Sequence, residues 1–160
     1  MLDLACGHGL LAHIMLILDD SSNIAMAVDN AIPQNAEKLS RELMASWPRL
    51  TNRVVYEQRS VQDVAVAAGD IVVSAHACGA LTDLIIDKAV EKHARVAVLP
   101  CCHDVEASST GGLQGWMDKP LAVDTMRAQK LCSAGYGIVT QKIPGDITPK
   151  NRLLMGAYIK

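Results

Sequence analysis

Short apolar runs alternate along the chain with longer segments in which apolar residues recur at helical spacing. This alternation is typical of a parallel β-sheet with helices on both faces. The apolar runs predict seven strands: Met1–Ala5, Ile24–Asp29, Arg53–Glu57, Asp70–Ala75, Arg95–Leu99, Tyr136–Ile143 and Asn151–Lys160. The helical spacing predicts helices over Leu10–Leu18, Ala36–Ser46, Leu81–Lys92 and Leu121–Ala134. A short connection with two prolines and a glycine joins the last two strands, which predicts an antiparallel pair.

A glycine-rich segment lies between the first predicted strand and the first predicted helix. Gly7 and Gly9 allow a ligand to approach the main chain beside the N-terminus of a helix. Residues 7–12 match the dinucleotide fingerprint in form, and Asp29 stands where that fingerprint expects a ribose-binding carboxylate. Asp3 disfavours a nearby pyrophosphate by charge repulsion and favours an ammonium group. This combination favours S-adenosylmethionine over a nicotinamide cofactor, and it resembles motif I of class I S-adenosylmethionine-dependent methyltransferases.

Composition narrows the class of protein without identifying it. A chain of 160 residues predicts a single domain over residues 1–160. A formal charge of −2 provides no general basic field, so contact with RNA would need a local basic patch. Five cysteines, an odd number that includes an adjacent pair, fit a reducing cytoplasm better than a disulfide framework. The early apolar runs are too short to span a bilayer, so we expect no membrane partner.

Cysteines and histidines concentrate just after the predicted strands. They are Cys6, His8, His76, Cys78, Cys101, Cys102 and His103. Because the carboxyl ends of parallel strands share one rim, we expect these side chains to converge. The alternative is that the cysteines are small apolar core residues and the histidines hydrogen-bonded ones. An imidazole titrates near neutral pH, so His76 and His103 are the candidate bases for a hydroxyl or amine nucleophile.

Some of these cysteines and histidines are also candidate metal ligands. Cys78, Cys101, Cys102 and His103 offer the soft donor atoms that suit Zn²⁺. The chain has no C-x-x-C pair, and adjacent residues of an extended segment point in opposite directions. We therefore expect that Cys101 and Cys102 do not bind one ion, and we predict no metal site.

Two further motifs sharpen the resemblance. Residues 76–83 read H-A-C-G-A-L-T-D, and residues 101–103 read C-C-H. They resemble the H-x-C-G-x-x-T-D and C-C-H motifs of a methyltransferase branch that includes the eukaryotic tRNA acceptor-stem ribose 2′-O-methyltransferases. The chain departs from those tRNA enzymes at Ala75, where they carry a basic residue, and at Asp104, where they carry a second histidine. Membership of the methyltransferase class therefore transfers better than specificity for tRNA.

The resemblance implies a fold. It is a Rossmann-like, doubly wound α/β fold with a seven-stranded sheet of order 3-2-1-4-5-7-6, whose last strand is antiparallel. The first strand begins at residue 1, so the helices that usually precede motif I are absent from this sequence. We expect an open cofactor site that a second copy of the chain or a missing segment covers.

The resemblance also implies roles for individual residues. Asp3 would hold the methionine ammonium group and Asp29 the ribose hydroxyls. The full cofactor-binding set is Asp3, Cys6, Gly7, His8, Gly9, Asp29, Asn30, Ser60, Val61 and Ala75. The catalytic candidates are His76 and His103. The residues expected to contact the acceptor are Cys78, Cys101, Cys102, Asn151 and Arg152.

The methyl acceptor itself is not identified by the sequence. RNA leads by resemblance, and a basic segment near the C-terminus would bind it: Lys142, Lys150, Arg152 and Lys160. Methyl transfer to a small molecule or a protein is the first alternative. A truncated, methyltransferase-like binding module without activity is the second, and a nicotinamide-dependent oxidoreductase is the weakest.

Overall fold

The computed structural model describes residues 1–159, which form one seven-stranded sheet with helices on both faces. Its strands are β1 (Leu2–Leu4), β2 (Ala25–Asp29), β3 (Val54–Gln58), β4 (Ile71–Ser74), β5 (Arg95–Val98), β6 (Tyr136–Lys142) and β7 (Arg152–Tyr158). Its helices are α1 (Leu10–Leu18), α2 (Ala36–Ser46), α3 (Ala80–Lys92) and α4 (Lys119–Ser133). Three short 3-10 turns complete the elements in this range: Pro48–Leu50, Val61–Asp63 and Leu113–Gly115.

The order of the strands is β3-β2-β1-β4-β5-β7-β6. Strands β1 to β5 pair in parallel, and β7 runs antiparallel to both of its neighbours. This order confirms the predicted α/β topology, including the antiparallel last strand. The end of the final predicted strand, Lys160, lies outside the described residues.

Most element boundaries differ from the predictions by one or two residues, and two of these differences have a clear local reason. The first strand ends before Ala5, because Ala5 has φ +57 and turns the chain into the glycine-rich loop. Helix α4 begins at Lys119 instead of Leu121, because the Asp118 side chain accepts a hydrogen bond from Leu121 N–H at 2.8 Å. A proline in the first helical turn strengthens that start, since its missing N–H has no helical partner to lose.

The apolar core has one layer on each face of the sheet. Ile85 and Ile86 of α3 pack with Val72 and Leu131 on one face. On the other face, the core consists of residues of α1 and β2 with Leu50. Helix α1 also has an apolar stripe on its exposed side, where Leu10, Ile14 and Leu18 recur every four residues and Leu18 is 79% exposed. No helix in the described range is long and apolar enough to cross a membrane.

The carboxyl ends of β1, β4 and β5 meet at one rim. Asp3 of β1 lies opposite Val73 of β4, and Ser74 lies opposite Val98 of β5. Beyond the strands, Gly79 N–H donates to the carbonyl of Cys102 at 2.9 Å, which joins the loops after β4 and β5. The predicted convergence of the loops is therefore present at this rim.

Candidate functional site

A cleft of about 740 Å³ opens at the carboxyl ends of β1 and β4. It is large enough for a nucleoside-containing ligand. Six of the residues proposed from the sequence line it: Asp3, Cys6, Gly7, His8, Ala75 and His76. Residues of the glycine-rich loop and of the loop after β4 therefore line the cleft together.

The opposite wall of the cleft comes from α1 and α2, and the sequence analysis missed its polar part. Asn35, Lys38 and Glu42 face the cleft together with the apolar side chains of α1. Lys38 and Glu42 are four residues apart and share one face of α2, and Asn35 directly precedes the helix. That spacing could have identified the face, but only the tertiary structure turns it towards the glycine-rich loop.

The glycine-rich loop is held in a conformation that requires glycine. Gly9 has φ +70, and a Cβ added there would lie 2.7 Å from Cε1 of Tyr56. The Tyr56 hydroxyl donates to the carbonyl of His8 at 2.8 Å. The buried His13 ring lies 2.7 Å from the carbonyl of Gly9 and 3.2 Å from Oγ of Ser40. Tyr56 and His13, neither of which the sequence analysis selected, thus fix the loop to β3 and α2.

Gly7, unlike Gly9, has open space where a Cβ atom would lie. Its φ is +53, and no atom lies within 4 Å of the Cβ position that a side chain would occupy. Its backbone N–H donates to Oδ2 of Asp29 at 2.9 Å. Gly7 therefore leaves open space over the main chain, and its contact with a ligand stays a prediction.

Asp3 is 1% exposed at the base of the cleft. Its Oδ2 accepts a hydrogen bond from Ala12 N–H at 3.1 Å. Burial raises the pKa of Asp3 to about 7, the hydrogen bond from Ala12 opposes this rise in part, and the negative charge of Asp29 adds to it. A carboxylate in this position lacks solvation, so a cationic ligand group in the cleft would stabilise its charged form.

Asp29 and Asn30 lie at the end of β2, outside the cleft wall. One carboxylate oxygen of Asp29 receives the N–H of Gly7, so Asp29 also braces the glycine-rich loop. Asn30 is exposed beside it. Their assignment to the ribose remains a prediction.

Three other predicted cofactor residues have structural surroundings of their own. Burial raises the pKa of the Cys6 thiol to about 12, so Cys6 lines the cleft as a neutral group. Ser60 caps a 3-10 turn by accepting a hydrogen bond from Gln62 N–H at 3.3 Å. Val61 is buried in the apolar core. The structure places Ser60 and Val61 outside the cleft, so their adenine contact stays a prediction.

The two candidate bases separate in space. His76 is exposed and lines the cleft. His103 is 5% exposed, and its Nε2 lies 2.7 Å from Oδ1 of Asp124. Asp124 also binds Arg127 at 3.2 Å and Arg152 at 2.7 Å. The His103 ring thus contacts a carboxylate that Arg127 and Arg152 also bind, and of the two candidate bases His76 faces the cleft.

The predicted acceptor residues near the C-terminus lie with His103. Asn151 and Arg152 line a small cavity of about 170 Å³ together with His103 and Lys150. The Asn151 side chain donates to the carbonyl of Ile143 at 2.8 Å, which closes the turn between β6 and β7. These residues do not line the 740 Å³ cleft.

The cysteines after β4 and β5 converge, as expected for loops that share a rim, but the expectation that Cys101 and Cys102 point in opposite directions was wrong. The Sγ atoms of Cys78, Cys101 and Cys102 all lie within 4.8 Å of one another. Strand β5 ends at Val98, so Cys101 and Cys102 lie in an irregular loop in which the alternation of a strand does not apply. Hydrogen bonding to Cys101 raises the pKa of Cys78 to about 12, with partial burial and Cys102 adding to the rise.

Comparison with known proteins places this fold and cleft in a family. A family model described as "Methyltransferase domain" matches residues 1–107. The chain is 26% identical over 202 residues to a Drosophila melanogaster "Glutathione S-transferase C-terminal domain-containing protein homolog". That match covers 100% of this chain and 33% of the relative, so the chain spans one third of the relative's length.

Solved structures share the fold at low sequence identity. The tRNA methyltransferase TrmK of B. subtilis is 17% identical with a TM-score of 0.57, and the match covers 100% of this chain and 59% of that one. An O-methyltransferase from neocarzinostatin biosynthesis, solved in complex with S-adenosylmethionine, is 14% identical with a TM-score of 0.58; the match covers 99% of this chain and 48% of that one. Because the family model matches residues 1–107 of the 160, this protein belongs to the methyltransferase-domain family.

Proposed function

We propose that the chain binds S-adenosylmethionine in the 740 Å³ cleft and transfers its methyl group to a nucleophile that enters beside His76. The observation that carries this proposal is the buried carboxylate of Asp3 at the base of the cleft, with its raised pKa. A ligand with an ammonium group and no phosphate complements this charge, whereas the pyrophosphate of a dinucleotide opposes it.

The residues of the cleft fit that ligand in three further ways. Gly7 offers open space over the main chain for close approach. Leu10, Leu11 and Ile14 provide an apolar wall for a nucleoside. Lys38 and Glu42 on the opposite wall offer charged groups for the polar ends of the ligand. Together they supply the mixed apolar and polar lining that small-molecule sites use.

The chain's own residues then have distinct tasks in methyl transfer. Bound S-adenosylmethionine would supply an electrophilic methyl group on a sulfonium centre. Asp3 would orient the ligand by binding the ligand's ammonium group. The glycine-rich loop, which Tyr56 holds in place, would fix the position of the ligand. His76 accepts the proton that a hydroxyl or amine nucleophile loses, because its ring is exposed at the cleft. Alignment of the reactants provides most of the remaining acceleration.

RNA is the acceptor class that we propose to test first. The H-x-C-G-x-x-T-D and C-C-H resemblance supports it, and a tRNA methyltransferase is among the structures that share the fold. Lys142 and Lys150 offer positive charge near the C-terminal strands, although Arg152 is paired with Asp124. Binding to RNA should weaken as the salt concentration rises. Absence of binding at low salt would favour the small-molecule or protein acceptors instead.

The cofactor proposal is tested by calorimetry on the purified chain. We expect S-adenosylhomocysteine to bind and NAD not to bind. The variant Asp3→Asn should lose this binding, whereas Asp146→Asn, which removes the same charge from an exposed turn, should retain it. Binding of NAD alone would favour the oxidoreductase, and absence of binding by every ligand would favour a module without cofactor. Coverage of the cleft by a second copy or another segment remains a prediction.

A further inference from the structure

Three thiols, which the resemblance assigns to acceptor contact, meet at the rim of the sheet. Cys78 Sγ lies 3.1 Å from Cys101 Sγ, and all three Sγ atoms of Cys78, Cys101 and Cys102 lie within 4.8 Å of one another. Two of these cysteines are exposed and one is partly buried, so an ion could reach them from solvent. We call these three residues the thiol cluster.

Hydrogen bonds tie the backbone beside the thiol cluster to the rest of the fold. Gly79 N–H donates to the carbonyl of Cys102 at 2.9 Å, which joins the loop after β4 to the loop after β5. Gly79 adopts φ +54 and ψ −128, a conformation that glycine tolerates and other residues avoid. The buried Arg127 donates to the carbonyl of Gly79 at 3.0 Å and is itself held by both carboxylate oxygens of Asp83. The thiols are therefore positioned by backbone that the core anchors.

The spacing of the thiols suits a tetrahedral metal ion. Zinc binds thiolate sulfur at about 2.3 Å, which places two sulfur ligands of a tetrahedral site about 3.8 Å apart. The separations in the cluster span this value, from 3.1 Å for one pair to at most 4.8 Å. Adjustments of less than about 1 Å, within the reach of side-chain rotation, would bring all three sulfurs onto one ion.

The charge around the cluster also favours thiolates once a cation is present. Helix α3 begins at Ala80, two residues after Cys78, and its N-terminus carries partial positive charge. Without a cation, three neighbouring thiolates would repel one another. A divalent cation reverses that balance, because it attracts each thiolate directly.

We propose that Cys78, Cys101 and Cys102 form a zinc site in which three thiolates bind Zn²⁺ and water occupies the fourth position. The three thiols release their protons to solvent as they bind the ion, and no electron is transferred. The site ties the loop after β4 to the loop after β5, close to His76 of the cleft. Its existence does not depend on the proposed cofactor or on methyl transfer.

The test measures metal content and ligand spectra in place of activity. The full chain is purified with a non-thiol reductant and no chelator, supplied with Zn²⁺, desalted and analysed for bound metal. Co²⁺ is used as a second probe, because thiolate coordination gives it strong charge-transfer absorption. We expect one equivalent of zinc per chain and a Co²⁺ spectrum typical of several thiolate ligands.

Serine variants assign the ligands. Loss of even an indirect support of a metal ligand costs about 10- to 100-fold in affinity, so Cys78→Ser, Cys101→Ser and Cys102→Ser should each weaken zinc binding by more than about 100-fold. Cys132→Ser is the matched control, because Cys132 is exposed on α4 outside the cluster, and it should bind zinc as the natural chain does. Circular dichroism of each variant confirms that it is folded.

Three outcomes would overturn the proposal. They are a reduced natural chain that retains no metal, zinc binding that all three serine variants keep, and a Cys78–Cys101 disulfide that forms in the presence of zinc and reductant. Calorimetry with S-adenosylhomocysteine on the same samples separates this result from the cofactor proposal. A chain that binds S-adenosylhomocysteine but no zinc would refute the metal site alone.

Discussion

Replacement of Asp3 by asparagine should stabilise the unliganded protein and weaken cofactor binding at the same time. The buried Asp3 has its pKa raised from 3.8 to about 7, which corresponds to a cost of about 4 kcal/mol for carrying the charge in the folded protein. Asparagine has nearly the same shape, and its amide oxygen can still accept the hydrogen bond from Ala12 N–H. The variant therefore removes the charge while it leaves the packing in place.

The effect on stability depends on pH in a defined direction. Because the folded pKa of Asp3 lies above the unfolded value, the folded protein binds more protons than the unfolded protein between pH 3.8 and about 7. The contribution of Asp3 to the free energy of unfolding is therefore greatest below pH 3.8, and it is lost as the pH rises to about 7. At pH 8 Asp3→Asn should be more stable than the natural chain by up to about 4 kcal/mol, and at pH 5 the gain should be much smaller.

The effect on binding has the opposite sign. A carboxylate and an ammonium group 4 Å apart attract by about 4 kcal/mol at an effective dielectric constant of 20, so Asp3→Asn should weaken binding of S-adenosylhomocysteine by up to about 1,000-fold. Methylthioadenosine lacks the ammonium group, so its affinity should change little. In the natural chain, S-adenosylhomocysteine should bind more weakly at pH 6 than at pH 8, because Asp3 is largely protonated at pH 6.

Two measurements test the expected effects of Asp3→Asn on stability and on ligand binding. Chemical denaturation of the natural chain, Asp3→Asn and Asp146→Asn at pH 5 and pH 8 gives the free energies of unfolding, and calorimetry gives the affinities for both ligands. The reasoning would be refuted if Asp3→Asn were less stable than the natural chain at pH 8. It would also be refuted if both ligands lost the same affinity, since that result indicates a distorted cleft and not a lost charge.

Three further changes have defined expected results. Gly9→Ala should destabilise the fold by about 1–3 kcal/mol and weaken S-adenosylhomocysteine binding, because its φ is +70 and its Cβ would meet Tyr56; an unchanged denaturation midpoint would contradict this. Ser74→Ala should be neutral or stabilising in the same assay, since the buried hydroxyl has no hydrogen-bond partner within residues 1–159; a loss above about 1 kcal/mol would contradict it. His76→Ala should lower methyl-transfer turnover at least about 100-fold with little change in cofactor affinity, and equal losses of both would exclude its role as the base.

Much of the fold was predictable because it depends on local patterns. Alternating apolar runs and helical spacing identified every strand and long helix within residues 1–159, with boundaries that differ by a few residues. The strand order came from the resemblance to a known family. The glycine-rich loop was also recognisable, since the conformations of Gly7 and Gly9 are requirements of the backbone that leave a direct trace in the sequence.

The candidate site was predictable only in part. Asp3 was identified as the acidic residue of the strand that leads into the glycine-rich loop, and His76 because it directly follows a predicted strand, since a parallel sheet brings such positions to one rim. His103 occupies an equivalent position in the sequence, yet its ring faces Asp124 of α4. Asp124 is 21 residues away from His103 along the chain. No local pattern in the sequence indicates whether the His103 ring faces the cleft or faces Asp124.

The sequence by itself determined the order of elements, the glycine-rich loop and the acidic residue beside it, because each depends on backbone conformation or on a short-range pattern. Only the tertiary structure decided that α2 supplies a polar wall to the cleft, that the His103 ring contacts Asp124, and that the thiols of Cys101 and Cys102 both lie close to that of Cys78. Cys78 is 23 residues from Cys101, and the two thiols meet only because neighbouring parallel strands end side by side. Loop conformation beyond those strands depends on long-range hydrogen bonds such as the one from Gly79 to Cys102, and such bonds leave no periodic signal in a sequence.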